Sequence, residues 1–521
     1  MSTTRAKKPA GQVALVGAGT GDPGLLTLRA AELLGAADLV VADERCSAGV
    51  LALAREDAEL LVVPAHESQG PVLVAAAKEG RLVVRLLAGD PFLADDGVKE
   101  AEVIQRAKQR LEVVPGLPAP VAVPGYAGVP VGLPRTVARV EDGLDWRGIA
   151  SAPGTLVLLC PAGDVAKAAA ALVEHGRKPE MPVSVTVGGT TSEQRTVLTT
   201  LDRAEADVAA AGLVGEAVVV VGDAVKKAEK LAWFESRALY GWRVLVPRTR
   251  DQAGVLSAAL RAYGAIPVEV PTIAVEPPRT PAPMERAVKG LVTGRYMWVA
   301  FTSTNAVKAV REKLEEFGLD ARAFAGVKVA AVGDSTAQAL LDFGIRADLV
   351  PSGEQSSEGL LKDWAPYDDV FDPIDRVFLP RADIATDALV AGLKELGWAV
   401  DDVTAYRTVR AAPPAAETRE ALKGGGFDAV LFTSSSTVRN LVGIAGKPHD
   451  TTVLACIGPQ TVKTAQELGL RVDVVAAKPD VASLVEALAE HALTRRAAGE
   501  LPSAARRRKV AKAAQKPPVR R

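Results

Sequence analysis

The sequence predicts an α/β protein of successive domains with parallel strands, and three observations carry that reading. Short apolar runs, among them Val13–Val16, Leu82–Leu87 and Trp298–Phe301, stop at glycine- or hydroxyl-rich turns and give way to helical spacing. One kind of turn is written twice: WVAFTSTN and VAAVGDST in one stretch, AVLFTSSST and LACIGPQT in another. A length of 521 residues exceeds what a single core holds and points to two or three domains.

Apolar residues make up 48% of the chain and charged residues 24%, an ordinary globular balance. A net charge of −1 provides no global field to select nucleic acid or an anionic membrane, and 4% aromatics argue against a base-stacking surface. The three cysteines (Cys46, Cys160, Cys456) lie far apart in or beside apolar runs, which suits a reducing compartment and excludes a disulfide framework or thiolate metal cluster. The opening MSTTRAKKPAGQ lacks an apolar segment and no apolar run reaches about 18 residues, so neither signal peptide nor membrane span is expected. The expected location is the cytoplasm, with no metal.

In the first half, about residues 11 to 225, Val13–Val16 enters the turn Gly17 to Gly24, and Leu25–Leu34 has helical spacing. Glycines there permit positive φ and close approach of backbone to a ligand, although a tight turn without a ligand fits equally well. Further strands are expected at Leu39–Val41, Leu60–Val63, Leu82–Leu87 and Leu111–Val114, with a helix over Gly97–Lys108. The loop Ala88 to Phe92 follows a strand, where α/β folds place ligands.

The segments VALVGAGTGDPGLLTLRAAELLGAADLVVADE, VVRLLAGDPF, LEVVPGLPAPVAVPGYAGVP and GTLVLLCPAGDVAKAAAALVEHGRKPEMPVSVTVGGTTSEQRTVLTTL resemble the tetrapyrrole methylases, especially uroporphyrinogen-III C-methyltransferases, over roughly residues 12 to 223. The resemblance implies two α/β lobes holding S-adenosyl-L-methionine between them. It sets the cofactor against Gly17, Gly19, Thr20, Asp22, Ala88, Gly89, Asp90, Pro118, Ala119, Cys160 and Gly189, and makes Asp43 a methylase acid or base. Several matched positions depart from the family. Thr20 replaces a proline, Ala42 a tyrosine, Leu93–Gly97 a basic Phe-Gly-Arg-Gly run, Pro118-Ala119 a Thr-Ser pair and Cys160 a methionine. Pro64–Ser68 lacks the expected lysine, and Val129–Pro134 lacks the family's His-Arg. These changes remove cations and hydroxyls where a polycarboxylate would bind. Three readings stay open: an active methyltransferase, cofactor binding without efficient turnover, and a structural remnant.

A charged linker, about residues 226 to 239, carries Trp233-Phe234, expected to pack the linker down. Beyond it, Trp242–Val246 reads as a strand ending at Pro247-Arg248-Thr249-Arg250, followed by a helix over Asp251–Tyr263 with Gly264 at C′. A crossing at Pro271 and a return near Tyr406 suggest two lobes joined by two extended strands. The first N–H groups of a helix lack partners and favour anions. Ser or Thr there can donate to a carboxylate without adding charge, or simply cap the helix.

GWRVLVPRTRDQAGVLSAALRAYGAIPVEVP, WVAFTSTNAVKAV, VAAVGDSTAQALLDFGI, VFLPRADIATDALVAGLKELGWAVDDVTAYRTV, DAVLFTSSSTVRN and LACIGPQTVKTAQELGLRVDVVA resemble uroporphyrinogen-III synthase, in order. The expected fold class is therefore a two-lobed tetrapyrrole methylase fold followed by a bilobal α/β uroporphyrinogen-III synthase fold over 240–492, lobe one being 240–272 plus 408–492 and lobe two 276–402. The resemblance implies closure of hydroxymethylbilane to uroporphyrinogen III with inversion of ring D and no cofactor. It makes Tyr406 a proton donor to the departing hydroxyl and places Thr336, Thr461 and Ser434 as catalytic hydroxyls. Ser303, Ser435 and Gln460 would contact substrate, with Gln460 where many members carry a second threonine. Arg248 and Arg381 could grip its carboxylates two-pronged, Lys328 and Lys463 being secondary candidates.

Expected partners are hydroxymethylbilane and uroporphyrinogen III, neither nucleic acid nor membrane, and a second copy through the methylase domain. Residues 493–521 are expected to form a basic, disordered tail, with eight basic groups and no acid from 506 to 521. The alternatives are a fully bifunctional enzyme making precorrin-2 and a non-catalytic tetrapyrrole carrier or scaffold.

Overall fold

The structure, a computed structural model, describes residues 11–65, 67–93, 95–248, 253–383 and 387–500, with main chain alone at Asp95, Arg248 and Ala253. These residues divide into two compact units. One runs to Arg243 and adds Ala259–Ile266 and the chain from Ala489; the other comprises Val244–Ala258 and Pro267–Leu488.

In unit one, β1 (Gln12–Gly17), β2 (Leu39–Asp43), β3 (Glu59–Val63), β4 (Leu82–Leu87) and β5 (Arg110–Val114) form a parallel sheet in the order β3-β2-β4-β1-β5. Its central strands are apolar without alternation because helices cover both faces. Val13, Leu15 and Val83 pack with Leu73, Ala77 and Ile104, whereas Ala14, Val16 and Val84 pack with Ala30, Leu33 and Leu34. A buried ion pair, Arg85 to Glu100 at 3.0 Å, ties β4 to the helix Asp95–Arg106.

The strands expected to be parallel are those of this first sheet; the second sheet of the unit is mixed. β6 (Arg135–Arg139), β7 (Thr155–Pro161), β8 (Pro182–Val187), β9 (Arg195–Thr200) and β10 (Glu216–Val221) run in the order β6-β7-β10-β8-β9, and only β6–β7 is parallel. The short turn Gly188–Gln194 between β8 and β9 can join only antiparallel neighbours, since a parallel crossover needs a dozen or more residues. The linker aromatics pack as expected: Phe234 is buried against Tyr126 at 4.7 Å, and Trp233 Nε1 donates to the Gly125 carbonyl at 3.1 Å.

Unit two continues with β11 (Arg243–Arg248), β12 (Ile266–Pro271), β13 (Ile273–Glu276), β14 (Trp298–Phe301), β15 (Lys328–Ala331), β16 (Arg376–Ala382), β17 (Ala399–Arg410), β18 (Ala429–Phe432), β19 (Val453–Cys456) and β20 (Val474–Val475). They form two sheets, β12-β11-β18-β19-β20 and β13-β17-β16-β14-β15. The chain therefore leaves the first lobe after β12 and returns along β17, a two-strand crossing that makes lobe one discontinuous in sequence. Each sheet is parallel through its hydroxyl-turn strands, β18–β19 and β14–β15.

The tail begins later than expected. The helix Val481–Ala497 takes in residues 493–497, where Arg496 donates to the carbonyls of Ser236 and Arg237. Ala-rich spacing and these two main-chain acceptors outweigh the low content of large apolar side chains. Residues 501–521 lie outside the described chain.

Candidate active site

The repeated turns of unit two are structural copies. β14 and β18 each end at a phenylalanine and pass through a threonine to a capping serine: Ser303 at φ −162°, ψ 158° and Ser434 at φ −166°, ψ 160°. β15 and β19 each lead to a glycine at the next helix cap: Gly333 at φ −172°, ψ 170° and Gly458 at φ 180°, ψ 176°. In both lobes the carbonyl closing the first strand accepts from the neighbouring turn at 3.0 Å, Val332 to Phe301 and Ile457 to Phe432. Thr336 and Thr461 sit three residues after the glycines, 2% and 4% exposed, each donating its N–H to the glycine carbonyl at 3.1 Å. Parallel pairing thus sets a serine-capped and a glycine-capped helix start side by side, twice. Such starts offer N–H and O–H donors to anions.

The structure brings Ser303 and Tyr406 together. Their hydroxyls lie 2.9 Å apart, while Ser303 Oγ also accepts the Ala306 N–H at 3.1 Å. A break in register makes this contact. Arg381 on β16 pairs with Thr404, but Ala382 pairs with Tyr406, so Ala405 is an extra residue on β17. The bulge turns both Ala405 and Tyr406 into the same core, where strict alternation would send one of them outward. Asp383 brackets it, donating its N–H to the Tyr406 carbonyl at 3.2 Å and accepting the Thr408 N–H at 3.1 Å. Neither the bulge nor Asp383 was legible in the sequence.

In lobe one, Ser434 and Thr437 form a reciprocal capping box, signalled only by their three-residue spacing. Ser435 Oγ donates to the Gln460 carbonyl at 3.1 Å, joining the two turns through main chain and leaving the Gln460 side chain at the surface.

The basic candidates fare differently. Arg381 is no carboxylate clamp for a substrate: it is largely buried, its Nε donates to Asp402 at 2.6 Å and its Nη2 reaches Asp402 and Asp387. Those side-chain bonds raise its pKa above the ordinary arginine value. Lys328 opens β15, at the opposite end of the strand from the hydroxyl turn, with its ammonium 5.3 Å from the Trp298 ring. Lys463 lies exposed on the helix Pro459–Glu467. Arg248 closes β11, and its side chain lies outside the described residues, as do Thr249 and Arg250.

In unit one, three turns converge at the carboxyl ends of β1, β4 and β5. Gly19 (φ +65°) and Gly89 (φ +77°) exchange two main-chain hydrogen bonds, at 3.1 and 2.8 Å. A Cβ on Gly17 would stand 2.4 Å from the Gly116 nitrogen, and one on Gly116 only 2.1 Å from the Gly89 oxygen. Space beside the Gly89 Cα is open. Thr20 Oγ1 and Thr190 Oγ1 are 2.8 Å apart, linking the first turn to the β8–β9 turn. Asp90 accepts from Phe92 and Gly116 N–H groups, and Asp22 from Gly24 N–H and the Tyr126 hydroxyl, so both carboxylates brace loops. Gly189 lies where a Cβ would strike Val123 of the helix Ala119–Tyr126, which Pro118 caps. Ala88 leads into the Gly89 turn. A cradle of bare main chain fits close approach by a cofactor.

Two expected contacts change. The Cys160 side chain lies in the apolar core with Leu156 and Leu158, and burial pushes its thiol to about 11, so only its main chain could meet a ligand. Asp43 is buried at the end of β2. Burial raises its pKa, but Arg45, gripping both oxygens at 2.9 and 2.5 Å, holds the carboxyl below its ordinary value. Locked in that ion pair, it is a poor proton carrier.

Comparison with known proteins agrees with this architecture. Residues 254–486 match the family model for uroporphyrinogen-III synthase HemD, and residues 12–205 that for tetrapyrrole (corrin/porphyrin) methylases. The porphyrin biosynthesis protein HemD of Ruminiclostridium josui is 30% identical over 503 residues, covering 92% of this chain and 98% of that one. The chain belongs to the uroporphyrinogen-III synthase HemD family, with a tetrapyrrole methylase domain in the same polypeptide. The S-adenosyl-L-methionine-dependent uroporphyrinogen III methyltransferase of Methanosarcina barkeri is 36% identical over 235 residues, 41% of this chain and 92% of that protein. The siroheme synthase of Psychromonas ingrahamii is 38% identical over 244 residues, 43% of this chain; the match spans about half of that protein, 51%. Among the described residues no helix is long and apolar enough to cross a membrane.

Proposed function

We propose that unit two cyclises hydroxymethylbilane to uroporphyrinogen III on the paired hydroxyl turns, with Tyr406 as proton donor. The observation that carries this assignment is the Ser303–Tyr406 hydrogen bond at 2.9 Å, set beside duplicated helix starts in a chain of this family. The Tyr406 hydroxyl protonates the departing hydroxyl of the substrate, which leaves as water and gives an azafulvene cation. Ring closure at the substituted carbon forms a spiro intermediate, which rearranges. The proton lost when the last ring regains its aromaticity restores Tyr406, so the net reaction releases one water. Ser303 holds Tyr406 in line, while Ser434, Thr336, Thr461 and adjacent N–H groups bind carboxylates and keep the chain curled. Purified full-length protein given hydroxymethylbilane yields the III isomer; formation of the I isomer alone overturns the assignment.

Residues 11–225 form the methylase-like domain, 226–239 the linker and 240–492 the synthase domain in this reading. The glycine turns at Gly17, Gly19 and Gly89, with Thr20 and Asp90 alongside, would hold S-adenosyl-L-methionine, which supplies a transferable methyl group when bound. A bifunctional reading is favoured by the match across 92% of a dedicated methyltransferase. Transfer of labelled methyl to uroporphyrinogen III supports it, and cofactor binding without transfer rejects it.

A further inference from the structure

We infer that Gln355 is a positioning residue for the cyclisation, clamping the Gly333–Thr336 turn in the shape that presents Thr336; the inference rests on the synthase reading above. The serine turns carry their own caps, but the glycine turns have no capping side chain. Lobe one solves this with Pro459 at the first helical position, which has a preset φ and no N–H to satisfy. Lobe two has Asp334 there. Its N–H needs a partner, and its carboxylate would face a substrate rich in carboxylates.

Gln355 meets both needs. Its Oε1 accepts the Asp334 N–H at 3.2 Å, and its Nε2 donates to the Asp334 carboxylate at 2.5 Å. Gly333 makes room for it, since a Cβ there would stand 2.8 Å from Gln355 Oε1. At the Gly458 turn such a Cβ would meet Pro479 Cβ at 4.0 Å, and among the described residues no side chain stands there as Gln355 does at Gly333. The segment that delivers Gln355 is itself anchored: the Ser352 N–H donates to Asp363 at 2.6 Å, and Ser356 Oγ caps the next helix through the Gly359 N–H at 3.1 Å. Gln355 is exposed, so water competes for its bonds and it adds little to stability. Its effect lies in the orientation of the turn and of the Asp334 charge.

The test uses the full-length chain with Gln355→Ala, Thr336→Ala, the double variant, and the exchanged pair Gln355→Glu/Asp334→Asn. We expect Gln355→Ala to keep Tm within about 2 °C while kcat falls about tenfold and the share of type III product drops. In the Thr336→Ala background the same change should cost no more than about twofold. The exchanged pair, which swaps carboxylate and amide, should recover to within about threefold of the wild-type rate. A wild-type kcat for Gln355→Ala, a full tenfold loss added to Thr336→Ala, or an exchanged pair no better than Gln355→Ala overturns the inference. So does wild-type activity in Thr336→Ala, which removes the residue being served. Failure of the underlying reading is separate: the unmutated chain would then give only the I isomer.

Discussion

Tyr406→Phe separates chemistry from packing. The ring stays in the lobe-two core, and Ser303 Oγ keeps the Ala306 N–H. What is lost is one neutral hydrogen bond, worth about 1 kcal/mol, or roughly 2–4 °C in Tm for a unit of this size. As proton donor to the leaving hydroxyl, the same atom contributes about a hundredfold or more, near 2.7 kcal/mol at 1.36 per decade. The rate effect should therefore exceed the stability effect by a factor of about two or more. Initial rates of type III formation, read by chromatography of the oxidised porphyrins, are set against thermal unfolding of the same samples. Ser303→Ala closes a double-mutant cycle in which the pair should couple by about 1 kcal/mol in stability. A Tyr406→Phe enzyme with kcat within threefold of wild type and a lowered Tm would refute the proton-donor role and leave an aromatic that packs the crossing.

Other outcomes follow from the same geometry. Glu100→Gln strands the Arg85 guanidinium in the core of unit one and should destabilise that unit by about 3–5 kcal/mol, measured by denaturant unfolding; a change below 1 would mean that water reaches the pair. Gly116→Ala drives a methyl into the main chain of the Gly17 and Gly89 turns and should abolish S-adenosyl-L-methionine binding by calorimetry while leaving the synthase rate unchanged. Arg381→Gln should lower Tm without raising KM, because Asp402 and Asp387 already engage the guanidinium; a tenfold rise in KM at constant Tm would restore its substrate-binding role. Burial holds the thiols of Cys46, Cys160 and Cys456 at about 12, 11 and 11. They should resist a disulfide reagent at pH 8 until the protein unfolds. Because the unfolded thiols ionise near pH 8.5 and the folded ones only higher, this contribution to stability is complete below that pH and declines above it.

The sequence carried the fold where spacing is local. Four-residue apolar runs, a capping serine and a following helix sufficed for β14, β15, β18 and β19, because a parallel strand buried on both faces is read from apolar length alone. Tyr406 was legible through its family segment, but the bulge at Ala405 that aims it depends on pairing with β16, a relation between distant residues. Arg381 misled for the same reason. An arginine after an apolar strand looks available until Asp402, on the neighbouring strand, is placed beside it. Gln355 carried no signal, since a glutamine in a Ser- and Gly-rich loop differs from its neighbours only once Gly333 is seen to lack a cap.

The discontinuity of lobe one bears on how the chain is made. Val244 and Leu245 of β11 pair with Ala429 and Val430 of β18, so a nascent β11 leaves the ribosome about 185 residues ahead of its partner. At roughly 5–20 residues per second that interval is about 10–40 s. During it lobe two, whose sheet is complete with β17, can fold while an apolar strand edge stands open. The unpaired edge is an aggregation hazard that a cotranslational chaperone would cover. In a circular permutant of residues 240–492 alone, starting near Pro413, β18–β20 would precede β11 directly in sequence, and the wait would be removed.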